Sequence, residues 1–233
     1  MEKIHITMHD ADHKLCGIQS INTSIKCNPI CVGRIRKAME TGDNDCICLS
    51  CYADYQLNYK ASLQKALTEN TRILTSRDLT DEEIASINLY TRFVRIESFG
   101  DVQNVTQAKN YIRIMYANPD IGFGVWTKNY GIWFMAFNAL GKPENCSFVV
   151  SSVHLNKIDS FPAKYSHYVD HVFTVYDVED YDALETSEDY TLCAGVQCKA
   201  CGYKCYKKNT PRNVFEKIRG KKNRHKMPEL KPF

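Results

Sequence analysis

Nine of the chain's eleven cysteines fall into two groups, and their spacing is that of metal ligands. The first reads Cys27-x3-Cys31, then Cys46 and Cys48-x2-Cys51; the second reads Cys193-x4-Cys198-x2-Cys201-x3-Cys205. Two residues between thiols let both sulfurs face one centre while the intervening amides hydrogen-bond to them. The odd count argues against complete disulfide pairing. The start "MEKIHITMHDADHK" has neither the basic opening nor the apolar stretch of a secretory leader. No apolar run approaches the ~20 residues of a membrane span. The expectation is therefore a cytoplasmic protein with no membrane partner, where cysteines bind metal rather than each other. Zinc ribbons separate two pairs by about a dozen or more residues, and the second group has no such spacer. Dense runs with gaps of two and three are more typical of iron–sulfur ligation. One or two iron–sulfur clusters, of the 4Fe–4S kind, are expected, with zinc as the alternative. The expected ligands are Cys27 or Cys31 with Cys48 and Cys51, and then Cys193, Cys198, Cys201 and Cys205. Cys46 is a substitute or bystander, and buried free cysteines are the bland alternative for the first group. Cys146 opens an apolar strand and reads as a core residue. His154, His167 and His171 stand alone and are not expected to bind metal.

Other polar residues follow apolar segments in a way that could form a rim. Glu97 and Asp101 bracket "ESFGD", Lys128 follows "VWT", and Ser151-Ser152 follow "CSFVV". Lys128 is suited to a carboxylate or phosphate. Asp101 could accept from an amine or a ribose hydroxyl, or cap the helix that follows it. Arg95 and Glu97 alternate onto one strand face, so they could pair or both face the site. Ser151 and Ser152 could hydrogen-bond a ligand or cap the next segment. There is no glycine-rich phosphate loop, nucleophile elbow or zincin helix.

The elements that must position these residues alternate between strand and helix. "INTSIKC" reads as a short strand, 53–76 as one long helix and "LTDEEIASINLYT" as another, capped by Thr80 or Asp81. "RFVRIES", "GFGVWT", "CSFVVSS" and "HVFTVYD" read as strands, with helices in "VQNVTQAKNYIRIMYANP" and "NYGIWFMAFNAL" between them. This order predicts an α/β fold with a mainly parallel sheet, or a partial TIM-like barrel, and a cysteine-rich metal-binding C-terminal segment. Chemistry in such folds gathers at the carboxyl ends of the strands, so both cysteine groups are expected on one rim. The predicted organisation is an α/β domain over 1–206, carrying cysteine segments 27–51 and 193–205, followed by a helix and basic tail over 207–233. From Lys204 to Phe233 eleven Lys or Arg face two acids, a local charge of +9 against +3 for the whole chain. That tail suggests contact with nucleic acid, or else a solvated terminus.

The motifs "NTSIKCNPICVGR", "CLSCYA", "FGDVQN", "NPDIGFGVWTKN", "SSVHLN", "VFTVY" and the final C-x4-C-x2-C-x3-CY resemble, in order, the phage-associated gene product 88 domain family. The resemblance covers roughly residues 20–218 and implies a gene of a phage, prophage or related bacterial element, hence a bacterial host cytoplasm. Cys31, Cys48, Cys51 and the four C-terminal cysteines sit on its motifs; Cys46 and "RIRKAMETGDND" are particular to this chain. The organisation is also similar to that of radical S-adenosylmethionine enzymes, with a cysteine loop after the first strand and a small acidic motif, Glu97 to Asp101, after the second. The usual Cys-x3-Cys-x2-Cys is absent. That similarity implies three cysteines on a 4Fe–4S cluster with one iron left for S-adenosylmethionine. It places Glu97, Asp101 and Lys128 as catalytic residues and Gly100, Ser151 and Ser152 at the cofactor. The function it implies is an enzyme acting on nucleic acid or a nucleotide. The alternative is a non-enzymatic, zinc- or cluster-stabilised module that binds nucleic acid or protein.

Overall fold

The computed structural model describes residues 2–11, 13–158, 160–193, 195–208 and 210–218. It opens with β1 (Ile6–Met8) and β2 (Gln19–Ile21), followed by α1 (Pro29–Thr41), α2 (Tyr52–Tyr59), α3 (Ala61–Ser76) and α4 (Asp81–Ala85). Strands and helices then alternate: β3 (Phe93–Ile96), α5 (Val105–Ala117), β4 (Gly122–Thr127), α6 (Tyr130–Leu140), β5 (Cys146–Ser151), β6 (His171–Tyr176) and α7 (Val178–Asp182). The chain closes with β7 (Tyr190–Cys193) and β8 (Asn213–Lys217). All strands join one sheet in the order β1-β2-β3-β4-β5-β6-β8-β7. Only the β1–β2 pairing is antiparallel. The mixed α/β fold with a mostly parallel sheet is as the sequence predicts, and β2 through β6 lie side by side in chain order.

Alternation along the strands sorts residues to two faces. Ile21, Val94, Ile96, Phe123, Val125, Phe148, Val150 and Val172 enter the main core with Leu74, Tyr111, Ile112, Met115, Trp133, Phe134 and Phe137 of the helices. The other face carries Val149, Phe173 and Val214 beside Trp126. It also carries Phe93, packed with Ile18, Cys198 and Tyr206. Gly124 is needed here: a β-carbon on it would stand 2.6 Å from ring atoms of both Trp126 and Tyr206.

Four expectations change. The strand expected over 21–27 ends at Ile21, and Ile25–Cys27 form a 3-10 turn. The long helix over 53–76 breaks at Lys60, whose φ of −119° and ψ of 77° leave the helical region. The break folds Ala53 and Leu57 of α2 against Leu67 of α3, Ile25 and Phe99, forming a second small core. The helix after Thr80 is capped by Thr80, one of the two expected N-caps, in a capping box with Glu83, but stops at Ala85. Residues 213–217, expected as helix beyond the α/β domain, form β8 instead, inserted between β6 and β7. Val214 and Phe215 there are both buried, one on each face of the strand, and a parallel sheet supplies the backbone partners that decide for a strand. The basic stretch 219–233 lies outside the described residues. Among the described residues, no helix is long and apolar enough to cross a membrane.

Candidate functional site

The carboxyl ends of β2, β3, β4 and β5 are tied together by buried side chains. Asn22 Oδ1, just past β2, accepts from Ser98 N at 2.7 Å and from Ser98 Oγ at 2.8 Å. Glu97 follows β3 with a left-handed φ of 56°. That turn ends the strand alternation, so Glu97 does not share a face with Arg95 and the two do not pair. Its carboxylate accepts from Thr23 N at 3.0 Å, Thr23 Oγ1 at 2.8 Å, Gln107 Nε2 at 2.7 Å and Tyr111 Oη. Burial pushes its pKa up to about 7, although the hydrogen bonds from Tyr111 and Thr23 favour the charged form. Gly100 closes over this group: a β-carbon would lie 2.3 Å from Glu97 Oε2 and 2.6 Å from Thr23 Oγ1. Glu97 and Gly100, expected at a catalytic and a cofactor position, thus form a packed junction behind the rim.

Asp101 does not cap α5; Asn104 does, accepting from Gln107 N. Asp101 Oδ1 instead accepts from Thr127 Oγ1 at 2.6 Å and Val102 N at 2.8 Å, and Oδ2 accepts from Lys128 N at 2.9 Å. Burial raises its pKa, against those hydrogen bonds and the charges of Lys128 and Arg34. Both oxygens are occupied, so Asp101 fixes the β4 end and leaves Lys128 Nζ to reach Ser151 Oγ at 3.3 Å. Ser152 turns inward: its hydroxyl accepts from Val175 N and ties β5 to β6.

Three cysteines reach this rim from three segments. Cys31 lies in the first turn of α1, which starts with Pro29 after Asn28. Asn28 Oδ1 accepts from Ile30 N at 3.0 Å and Cys31 N at 3.2 Å, while its amide donates to Asp101 O at 2.7 Å. One turn on, Arg34 donates to Asn129 Oδ1 at 2.8 Å. Burial works against Arg34's charge, but Cys48, Asp101 and Cys31 around it raise its pKa overall. Cys48 arrives because 45–47 docks beside β5: Ile47 N donates to Val153 O and Leu155 N to Asp45 O, both at 2.9 Å. Cys51 is the N-cap residue of α2. A hydrogen bond from Cys46 lowers the pKa of Cys48, with Lys128 and Arg34 favouring the thiolate against the cost of burial. Burial raises Cys31 and Cys51. Both are nevertheless partly exposed, as thiols in a recess would be.

Cys27 is not brought to this set. It is buried, and its sulfur meets Thr68 Oγ1 of α3 at 3.6 Å. Among the described residues, no three His, Cys, Asp or Glu side chains are gathered closely enough to hold a single metal ion.

The second group assembles elsewhere. Cys193 ends β7, but Cys198 packs with Phe93 and Tyr206, and Cys205 O accepts from Ser147 Oγ at 2.8 Å. Phe93 and Ser147 stand in the amino-terminal halves of their strands, so this segment crosses the sheet's second face and does not share the rim with Cys48. The reason is topological. Running β7 to β8 reverses the direction in which the sheet grows, and a right-handed crossover must then use the opposite face. Burial pushes Cys198 up to about 11 and Cys205 up to about 12; Cys201 and Cys193 act on both. Lys14 joins Glu216 at 2.6 Å beside Cys193.

Tyr52 stands between the two groups. Its hydroxyl donates to Ser98 O, and its ring is 56% exposed. Desolvation, with Arg95, Cys51, Glu216 and Lys14 acting on it, pushes its hydroxyl up to about 12. Across that face the Arg95 guanidinium lies over Trp126 at 3.5 Å. Arg34, Asn28 and Tyr52 are absent from the sequence-based list of site residues. Arg34 has a signal there, three residues after Cys31 on one helix face; Asn28-Pro29 is a start-of-helix pair.

A family model described as gene product 88 matches residues 19–223. No curated protein and no solved structure matches the chain.

Proposed function

The chain belongs to the phage gene product 88 family, and from that premise we propose that it is an iron–sulfur enzyme of radical S-adenosylmethionine-like organisation, acting on nucleic acid or a nucleotide. The observation that carries the reading is the convergence of Cys31, Cys48 and Cys51, with Arg34 and Lys128, at the carboxyl ends of strands arranged in chain order. Cys27 points away, and Cys46 is buried although it contacts Cys48. The three partly exposed thiols, Cys31, Cys48 and Cys51, are the set that would keep one iron of a 4Fe–4S cluster free of cysteine. A single zinc ion needs its sulfurs within ~2.3 Å of one point, a gathering that these thiols do not make. A polynuclear cluster suits a wider set.

When bound, such a cluster supplies one-electron reduction of S-adenosylmethionine at its open iron. The chain's own residues would do the rest. Cys31, Cys48 and Cys51 would hold the cluster as thiolates, and Cys31 and Cys51, whose thiols burial keeps protonated, would give up protons on binding. Lys128 and Ser151 present a cation and a hydroxyl to a carboxylate or phosphate. Asp101 holds the Lys128 backbone, and Asn28 sets the first turn of α1 and with it Cys31. The second group, in one loop on the aromatic face, suits a cluster or zinc site that is structural or passes electrons. The basic stretch 219–233 would engage phosphate.

The test is anaerobic purification and reconstitution, with iron, sulfide and zinc analysis and an absorption spectrum. A brown protein absorbing near ~400 nm and forming 5′-deoxyadenosine from S-adenosylmethionine is expected. Replacing Cys31, Cys48 and Cys51 by Ser should abolish that product and lower iron while retaining metal at the second group. Colourless protein with stoichiometric zinc would overturn the reading in favour of a metal-stabilised binding module.

A further inference from the structure

Helix α2 follows Cys51 directly and presents Tyr52, Tyr55 and Tyr59 at 56%, 66% and 74% exposure. Positions 52, 55 and 59 fall within one narrow arc of a helix. The Tyr55 and Tyr59 rings are 5.0 Å apart. The opposite side of the helix buries Ala53 and Leu57. Tyr52 packs edge-on against Phe99 and donates to Ser98 O, but packing does not account for Tyr55 and Tyr59. The residues between are polar, Gln56 and Asn58, with no aliphatic side chain on the exposed arc. A helix made to dock into a protein groove would carry aliphatic anchors there. Two exposed rings in contact with each other, flanked by amides, suit stacking by planar partners instead. Lys26 reaches Asn58 on this helix, and Lys60 ends it; Asp54 is its single acid. At the inner end, Tyr52 adjoins Cys51, and Cys48 three residues before Cys51 lies beside the cations Arg34 and Lys128.

We propose that the α2 tyrosine face is a stacking platform for single-stranded nucleic acid, leading a strand to the cysteine recess. It deepens the function proposed above by naming the substrate class, and rests on that reading only for what happens at the recess. Seven residues of helix span about 10 Å at ~1.5 Å each, room for about three bases at ~3.4 Å per stacked step. Duplex bases are already stacked on each other, so the platform selects single strands.

The test is fluorescence anisotropy of the full chain with a labelled 15-nucleotide single strand, as DNA and as RNA, and with the matching duplex. Single strands should bind more tightly than the duplex. The double variant Tyr55→Ala/Tyr59→Ala should bind roughly 5- to 100-fold more weakly, with the same melting temperature and iron content as the parent. Tyr90→Ala, equally exposed at 66%, should leave binding unchanged. Equal binding by the double variant, equal affinity for the duplex, or no binding at all would overturn the proposal. So would a dimer, seen by sedimentation, that the double variant disrupts. Tyrosine-dependent strand binding by a chain that takes up no cluster would keep the platform and overturn only the enzymatic reading.

Discussion

Glu97 is the most informative single perturbation, because its two controlling effects oppose each other. It is 4% exposed, and burial raises its pKa from 4.5 to about 7 despite hydrogen bonds from Thr23, Gln107 and Tyr111. Below pH 4.5 the acid is protonated in both the folded and the unfolded chain. Between 4.5 and about 7 the folded chain binds the proton more strongly, so stability falls as pH rises. Above about 7 both forms are ionised and the buried charge has its full cost. The interval between these two values, at ~1.4 kcal/mol per pH unit, sets that cost at about 3 kcal/mol. Glu97→Gln keeps the shape and has no proton to lose. The stability of the parent minus that of the variant should therefore fall by up to about 3 kcal/mol between pH 4.5 and 8. Urea unfolding of both proteins across this range measures it, and the subtraction removes every titration that the two share. A difference that stays flat would refute the reasoning. A difference rising with pH would show that the donors around the carboxylate outweigh its burial.

Two further substitutions probe the rim. Asn28→Ala removes the cap from the Ile30 and Cys31 amides and the bond to Asp101 O. It should cost about 1–2 kcal/mol in thermal unfolding and lower the iron retained per chain after reconstitution. Gly100→Ala drives a β-carbon to 2.3 Å from Glu97 Oε2 and should cost about 1–3 kcal/mol. Gly33→Ala, in α1 with nothing within 4 Å of the new carbon, should stabilise by roughly 0.5–1 kcal/mol and serves as the matched control.

The strands were legible because apolar alternation survives translation into a sheet almost unchanged. "FVRI", "GFGVWT", "CSFVVS" and "HVFTVY" all became strands, and Asp101, Thr127, Lys128 and Ser151 after β3, β4 and β5 are linked by hydrogen bonds, while Glu97, Gly100 and Ser152 turn to other partners. The failures share one physical cause: backbone choices set by tertiary partners. Lys60 breaks a helix whose local pattern runs on, because Leu57 and Leu67 share a core that a straight helix would separate. Glu97 leaves the strand through a left-handed turn, and no alternation rule anticipates that. β8 has too few residues for its period to outvote the helical reading, and its place between β6 and β7 depends on strands far away in sequence. At the site, residue type was legible and orientation was not. Nothing in the spacing of Cys27 and Cys31 says that one sulfur turns to Thr68 and the other to the rim.

The separation of the two cysteine groups follows from that insertion of β8. Parallel strands are normally joined by a crossover whose helix satisfies its own backbone and covers the sheet. The connection from β7 to β8 crosses the second face without an α-helix; Lys204–Tyr206 make only a 3-10 turn. Its order comes from short turns such as Tyr203 N to Cys198 O, from Ser147 holding Cys205 O, and from Tyr203 and Tyr206 packed on Phe93. Under the function proposed above, a metal bound by thiols of this crossover would supply the rigidity that a helix gives elsewhere in the sheet. Among the described residues, no three of them are gathered closely enough for a single ion. The first group has no comparable structural vacancy to fill. Asn28, Asp101 and Asn129 already join the loops around Cys31, and the sheet beneath is complete. Cys48 there lies beside Arg34 and Lys128, so under the proposed function the same residue type would serve the fold in one group and the open site in the other.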